Sequence, residues 1–266
     1  LIFLFTLVSC GGFSSSDNSS FEESESKVSN DIDESEVSEM PAKQSKLRYS
    51  NLPVGVNEYT HIELFVGEEK IPLIATKINY SQSWNGLAPN RYDAGVAVIE
   101  LEGRATLSMK TRNFLFNQKS VIRPLAAGIE GKINEERDTF TFVIDSPGNY
   151  VIEPNGERIV AVHLFVRALS DDTNYKNDSN VLYFGPGLHD ASNDARLATS
   201  IVNLKSNQTV YLAFGAIVRA RFVAANQSNI KIVGNGVIDG STFMRIAGQA
   251  SGNTAFVPLE FSWCSK

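Results

Sequence analysis

The stretch Asn207 to Phe243 constrains the fold of this chain more than any other part of it. Within the stretch, short apolar runs are interrupted by Gly and Asn at nearly regular intervals. Apolar positions recur at offsets of 20, 20 and 21 residues, pairing Val210 with Ile230, Leu212 with Ile232 and Ala216 with Val237. A repeat of this length indicates a solenoid, in which neighbouring repeats bury each other.

The composition of these runs identifies the kind of solenoid. They are rich in β-branched residues and only three to five residues long, which favours strands. Gly and Asn stand at the corners, where the backbone enters conformations that other residues avoid. Gly234, Gly236 and Gly240 are such corner residues, and we expect Gly236 to need a costly backbone conformation. The pattern predicts that residues 180–266 form the start of a parallel β-helix.

A second pattern occupies residues 47–170. Runs of alternating apolar and polar residues recur there between Gly, Asn and Pro turns, which is typical of an antiparallel β-sandwich. The runs are Ile62–Val66, Val96–Leu101, Ala105–Met109, Phe140–Ile144, Tyr150–Ile152 and Val160–Val166. Asn155-Gly156 suits a tight turn with positive φ angles. The whole chain is therefore predicted to be all-β, in two domains.

The amino terminus has the composition of an export signal. Its apolar run, Leu1 to Val8, is shorter than the ~20 residues that span a bilayer. Leu7-Val8-Ser9-Cys10 followed by two glycines resembles the bacterial lipobox, which implies cleavage before Cys10 and lipidation of that cysteine. We expect residues 1–10 to be a partial lipoprotein signal peptide and the protein to be anchored in the cell envelope or exported. The alternative is an ordinary leader followed by an ordinary cysteine.

Residues 11–46 are predicted to be a disordered tether rich in Ser and Glu. Ser14 to Met40 holds nine acidic residues and one Lys, a charge of −8 against −6 for the whole chain. The remainder carries about +2, so no basic surface argues for nucleic acid. Cys10 and Cys264 are the only cysteines in the sequence, and no disulfide is possible if Cys10 carries lipid.

Two aromatic residues are candidates for sugar contact. Trp84 and Tyr92 lie in a loop-like segment beside Asn, Gln and Arg, where their rings could stack on a saccharide. The alternative is that they seal one end of the sandwich. His61 and His163 lack a Cys or acidic partner at ligand spacing, so no metal site is expected.

Three motifs carry a resemblance to a known group of enzymes. They are Tyr183-Phe-Gly-Pro-Gly-Leu-His189, Leu204 to Ala216, and Ile230 to Gly240 with its Gly-x-Gly-x-Ile-Asp-Gly element. Together they resemble the opening rungs of right-handed parallel β-helix glycoside hydrolases with the pectin-lyase fold. The closest resemblance is to the dextranase and isopullulanase family, glycoside hydrolase family 49, which places a β-sandwich before the helix. The polygalacturonase family, family 28, shares the third element.

The resemblance implies a secreted enzyme that hydrolyses a polysaccharide by inverting acid/base chemistry, without a cofactor. It places the catalytic aspartates on rungs beyond Lys266, so this chain is expected to be an inactive fragment. Asp239 and Glu260 are weak catalytic candidates, because their 21-residue spacing could stack them ~4.8 Å apart on neighbouring rungs. The alternatives are a non-catalytic carbohydrate-binding or adhesin module and a polysaccharide lyase on the same fold.

Overall fold

The computed structural model describes residues 45–77, 93–158, 160–242 and 258–265, together with the backbone of residues 2 and 3. These residues form twenty-one strands and three short 3₁₀ helices, so the prediction of an all-β chain is confirmed for this part of the molecule. The strands are β1 (Ile2–Phe3), β2 (Lys46–Tyr49), β3 (Glu63–Val66), β4 (Glu69–Ile71), β5 (Ile74–Lys77), β6 (Asp93–Glu102), β7 (Ala105–Lys110), β8 (Val121–Arg123), β9 (Gly131–Ile133), β10 (Thr139–Ile144), β11 (Gly148–Glu153), β12 (Val162–Arg167), β13 (Val181–Phe184), β14 (Gly187–His189), β15 (Ile201–Asn203), β16 (Thr209–Leu212), β17 (Ala216–Val218), β18 (Arg221–Ala225), β19 (Lys231–Gly234), β20 (Val237–Asp239) and β21 (Leu259–Ser262). The 3₁₀ helices are Leu125–Ala127, Pro154–Gly156 and Ala195–Leu197.

Strands β2 to β12 form two sheets. One is antiparallel, in the order β4-β3-β7-β10-β9, and the other has the order β2-β6-β12-β11-β8. The long strand β6 pairs with β12 along one edge and with β5 and β2 along the other. The β12–β6 pair is parallel, which corrects the prediction of a wholly antiparallel arrangement. Alternation in the sequence indicates which face each residue takes but not the direction of the neighbouring strand.

One hydrophobic core joins these two sheets. Leu64 and Leu107 enter it from the first sheet, and Ile99 and Leu164 enter it from the second. The alternating burial of β7 shows a strand with one face in this core. By contrast, β6 is buried along almost its whole length, because the carboxyl-terminal half of the chain covers its other face. The two halves therefore share apolar contacts.

Strands β13 to β21 wind through three parallel sheets in turn. Successive strands enter the sheets β13-β16-β19, β14-β17-β20 and β15-β18-β21, so each set of three strands is one coil. In addition, β1 pairs antiparallel with β20. The interior of the coils is apolar and contains Phe184, Val210, Phe222 and Ile238. The parallel pairing expected for a β-helix is present in these coils.

The register of the coils differs from the predicted offsets. Val210 pairs with Ile232, 22 residues later, whereas Ile217 pairs with Val237, 20 residues later. The predicted partner of Val210 was Ile230, which precedes β19. For Val210 the shift is two residues, which keeps a side chain on the same face of a strand, so the sequence pattern cannot distinguish the two registers. The predicted partner of Val237 was Ala216, and its observed partner is the next residue, Ile217.

The corners also differ in detail from the prediction. Asn207, Asn226 and Asn229 have positive φ angles, as expected for corner asparagines. Of the predicted corner glycines, Gly234 has a positive φ, 109°, whereas Gly236 is not among the residues with positive φ. A Cβ on Gly236 would lie 2.8 Å from the carbonyl oxygen of Ala213, so close packing, not backbone conformation, requires this glycine.

Candidate functional site

The two weak catalytic candidates lie on different sheets. Asp239 ends β20, whereas Glu260 lies in β21 opposite Val223. The residues between β20 and β21 lengthen this coil, so that β18 and β21 pair 37 residues apart, from Phe222 to Leu259. The stacking expected from their 21-residue spacing therefore does not occur, and their catalytic role stays a prediction.

Asp239 belongs to a cluster at the carboxyl ends of β14, β17 and β20. We call Asp190, Arg219 and Asp239 the carboxyl-edge cluster. The Arg219 guanidinium lies 3.1 Å from the Asp239 carboxylate and 3.9 Å from that of Asp190. Asp239 is only 2% exposed and also accepts hydrogen bonds from the backbone N–H and hydroxyl of Ser241. One guanidinium thus lies between two carboxylates. A hydrogen bond from the Ser192 hydroxyl, with a smaller contribution from Arg219, lowers the pKa of Asp190.

Beside this cluster, His189 and Arg196 both contact Asp194. The Nδ1 atom of His189 is 3.2 Å from the Asp194 carboxylate, and its Nε2 atom is 2.8 Å from the carbonyl oxygen of Gly185. Asp194 also caps the 3₁₀ helix Ala195–Leu197 by accepting the backbone N–H of Arg196. Hydrogen bonds from the Arg196 side chain lower the pKa of Asp194 to about 2. Asp194 is therefore a structural anion and not a proton donor.

Glu260 is likewise paired with an arginine. Its carboxylate contacts the Arg221 guanidinium, and its side chain is 43% exposed. Neither candidate acid is an unpaired carboxyl group in apolar surroundings, the environment that typically raises a carboxyl pKa for general acid catalysis. The remaining site predictions, Cys10, Trp84 and Tyr92, lie outside the described residues.

An aromatic stack that the sequence reading missed lies on the sheet β13-β16-β19. The rings of Tyr183 and Tyr211 are stacked with centroids 5.8 Å apart, and Tyr175 stacks on Tyr211 at 4.1 Å. Burial, followed by a hydrogen bond to Asp172, raises the pKa of Tyr183. Because Tyr175 covers Tyr211, this stack holds the connection between the two halves against the coil. The sequence feature that could have predicted this stack is the presence of a tyrosine in each strand at paired positions, Tyr183 in β13 and Tyr211 in β16.

A buried carboxylate links the two halves of the chain. Glu100 is fully buried in β6, and its Oε2 atom accepts a hydrogen bond of 2.8 Å from the Nε atom of Arg48. Its Oε1 atom accepts hydrogen bonds from the backbone and hydroxyl of Ser170, and one of 2.6 Å from the Asn235 amide. Asn235 lies in the corner between β19 and β20, so Glu100 fixes that corner against the sheets.

Next to Glu100 lies a cleft of about 400 Å³, which we call the junction cleft. It forms where the end of β12 meets the corner at Asn235, and its lining includes Gly148, Asn149, Arg167, Leu169, Ser170 and Asn235. In the parallel register of β12 and β6, the Cα atom of Arg167 lies opposite that of Glu100. This cleft was not predictable from the sequence, because it depends on the parallel pairing of β12 with β6.

Arg167 is the charged residue of the junction cleft. It is 4% exposed, and burial lowers the pKa of its guanidinium. The guanidinium donates to the carbonyl oxygens of Gly148 and Val166, at 3.3 and 2.9 Å, and to the side-chain oxygen of Asn149 at 2.7 Å. All three acceptors are neutral, and the guanidinium also lies over the Phe165 ring, with its Cζ atom 5.7 Å from the ring centroid. None of these contacts supplies a negative charge.

Two further features concern only the described part of the chain. No group of three or more His, Cys, Asp or Glu residues is arranged there to hold a metal ion. Among the same residues, no helix is long and apolar enough to cross a membrane.

No model of a known protein family matches the sequence, and no curated protein matches it. Among solved structures, the fold is similar to that of Dex49A from Penicillium minioluteum, with 12% sequence identity and a TM-score of 0.49. The similarity covers 80% of this chain and 55% of the other, so the chain spans about half the length of that protein.

Proposed function

We propose that this chain is the amino-terminal part of an exported, polysaccharide-degrading glycoside hydrolase. In this proposal, residues 47–170 are a β-sandwich and residues 180–266 are the first coils of a right-handed parallel β-helix. The observation that carries the proposal is the position of the motifs that resemble such enzymes. Gly187–His189 lies in the first motif, Ala216–Val218 begins at the last residue of the second, and Val237–Asp239 lies in the third. These segments lie side by side as β14, β17 and β20 of one parallel sheet.

The proposed chemistry is inverting acid/base hydrolysis of a dextran-like or polygalacturonate-like chain. Inversion needs two carboxyl groups ~6.5 to 9.5 Å apart, one to protonate the leaving oxygen and one to activate water. Asp239 and Glu260 are paired with arginines on separate sheets, so the proposal assigns catalysis to aspartates on later coils. Lipidation of Cys10 would hold the enzyme at the cell envelope, close to its polysaccharide substrate.

The test is a comparison between the full-length protein and residues 1–266. Both are incubated with dextran, pullulan and polygalacturonate, and new reducing ends and the anomeric configuration of the product are measured. We expect hydrolysis with inversion by the full-length protein and none by residues 1–266. Absence of hydrolysis on all three polymers would contradict the proposal, and an unsaturated product would identify a lyase instead.

A second candidate is a non-catalytic carbohydrate-binding or adhesin module. The ion pairs of Asp239 with Arg219 and of Glu260 with Arg221 favour it, because each of these two carboxylates in the described coils is already held by an arginine. Retention of the full-length protein on one of the same polymers, without any cleavage, would support this candidate.

A further inference from the structure

The junction cleft contains a buried positive charge without a matching negative one. Arg48 and Arg167 carry two positive charges, and Glu100 carries one negative charge, which gives this trio a net charge of +1. The ion pair of Glu100 is with Arg48, whose side chain is half exposed. Burying a charge without a partner is unfavourable unless another group compensates for it.

The hydrogen bonds of Arg167 are also incomplete. A guanidinium has five N–H donors in a planar fork. Three contacts use donors on the two terminal nitrogens, and the buried Nε–H group has no acceptor among the described residues. Arginine is the side chain best suited to recognise a planar carboxylate or a similar oxyanion.

We infer that the junction cleft binds the carboxylate of an acidic monosaccharide unit, with Arg167 as the residue that compensates its charge. The volume of about 400 Å³ is within the range of roughly 300 to 1,000 Å³ that is usual for small-ligand sites. Asn149 is exposed at the edge of the cleft and uses its side-chain oxygen to accept from Arg167. Its amide NH₂ group can therefore donate to a sugar hydroxyl.

This inference takes from the proposed function only the class of ligand, a saccharide. None of the carboxyl-edge cluster residues lines the junction cleft. Binding at the cleft can be measured on residues 1–266 and requires no catalysis. A failure of this inference would therefore leave the proposed hydrolase activity untouched, and a failure of that activity would leave this inference untouched.

The first experiment is a titration of the protein with D-glucuronate, followed by NMR chemical shifts. We expect saturable shifts at Asn149, Arg167 and Ser170, at least tenfold weaker binding of D-glucose, and at least tenfold weaker binding of glucuronate to Arg167→Gln. Arg158→Gln makes the same charge change on a side chain that is 85% exposed, and it should leave the affinity unchanged. Equal binding of glucuronate and glucose, or equal binding by the wild type and Arg167→Gln, would overturn the inference.

Inorganic sulfate distinguishes a sugar site from a general oxyanion site. We expect sulfate to compete with glucuronate only at a concentration at least tenfold higher, because it makes no contact through a sugar ring. Competition at equal concentration would overturn the assignment to a sugar.

A second variant, at an exposed position, allows the inference to be tested even if Arg167→Gln does not fold. Asn149→Ala alters an exposed side chain and removes one hydrogen-bond acceptor of Arg167. We expect it to weaken glucuronate binding severalfold, with a modestly lower thermal unfolding midpoint and the folded NMR spectrum retained. Unaltered affinity in a folded Asn149→Ala protein would count against the proposed contact with the sugar.

Discussion

The atoms that crowd the glycines differ between the two halves of this molecule. In the two sheets of β2 to β12, side chains cover the glycines: a Cβ on Gly131 would lie 2.0 Å from the ring of Phe140, and one on Gly148 would lie 2.7 Å from the ring of Tyr150. At the corner between β19 and β20, the obstacle is instead the backbone of the preceding coil. A Cβ on Gly234 would lie 2.1 Å from the carbonyl oxygen of Leu212.

Because of this difference, the two halves should not tolerate substitution of a glycine equally well. An aromatic ring that covers a glycine can change its rotamer and repack, although overpacking still costs about 1 to 3 kcal/mol. A backbone carbonyl in a parallel coil is held by its own hydrogen bonds, as Leu212 is by the backbone N–H of Gly236. We therefore expect the coil corners to be the less tolerant positions.

The largest effect should come from Gly234→Ala. The φ of 109° is strained for alanine, and the new methyl group would collide with Leu212. Strain of this kind costs roughly 1 to 3 kcal/mol by itself, so we expect a total loss of roughly 3 kcal/mol or more, measured by chemical denaturation. Gly187→Ala is the matched control, because Gly187 has a φ of 127° but no atom within 4 Å of a Cβ. Equal losses in the two variants would show that crowding by the backbone is unimportant.

Gly236→Ala should follow, with a loss of roughly 1 to 3 kcal/mol. Its Cβ would lie 2.8 Å from the oxygen of Ala213 and 3.0 Å from that of Ala216, but its φ is not in the left-handed region. Hydrogen exchange should increase mainly in β16, β17 and β20, which surround this corner. An increase of similar size in the amino-terminal sheets would contradict a local clash.

Gly131→Ala should have the smaller effect of about 1 kcal/mol, because the obstacle is a side chain. The double variant Gly131→Ala with Phe140→Leu separates the two explanations. If the ring is the obstacle, removing it relieves the clash, and the two substitutions should be non-additive by at least ~0.5 kcal/mol in unfolding free energy. Additive losses would show that the backbone, and not the ring, restricts this position as well.

The smallest expected effect is a change in acid sensitivity from Asp194→Asn. The folded-state pKa of Asp194, about 2, is below the value of about 3.9 for an unfolded aspartate. The stability that this carboxylate contributes is therefore present above about pH 4 and is lost as the pH falls toward 2. Asp194→Asn should have a flatter stability curve in that range, measured by denaturation at several pH values. Parallel curves for the two proteins would contradict this role.

Much of the fold was accessible from the sequence. The alternating runs predicted β6, β7, β10, β11 and β12 to within a few residues at their ends. The corner residues were predictable for a local reason, because Asn155, Asn207 and Gly234 each adopt a positive φ that few other residues tolerate. The parallel coils were predictable in kind, since short β-branched runs that recur about every 20 residues bury each other only by stacking.

The candidate site was much less accessible. The spacing of Asp239 and Glu260 predicted a stacked pair, but the long segment between β20 and β21 places them on separate sheets. Two residues one repeat apart in the sequence stack on neighbouring coils only if every coil contains the same number of residues. In this chain the offset between paired residues differs between sheets, with Val210 opposite Ile232 but Ile217 opposite Val237.

By itself, the sequence determined the all-β character, the two patterns of strands and the residues able to turn corners, because these depend on local backbone preference and side-chain alternation. Only the tertiary structure decided the parallel pairing of β12 with β6 and the contact of Asn235 with Glu100, which are 135 residues apart. Those pairings created the junction cleft and left Arg167 buried without a counter-charge. The physical reason is that direction, register and charge pairing between distant strands depend on how whole sheets pack, which no local pattern encodes.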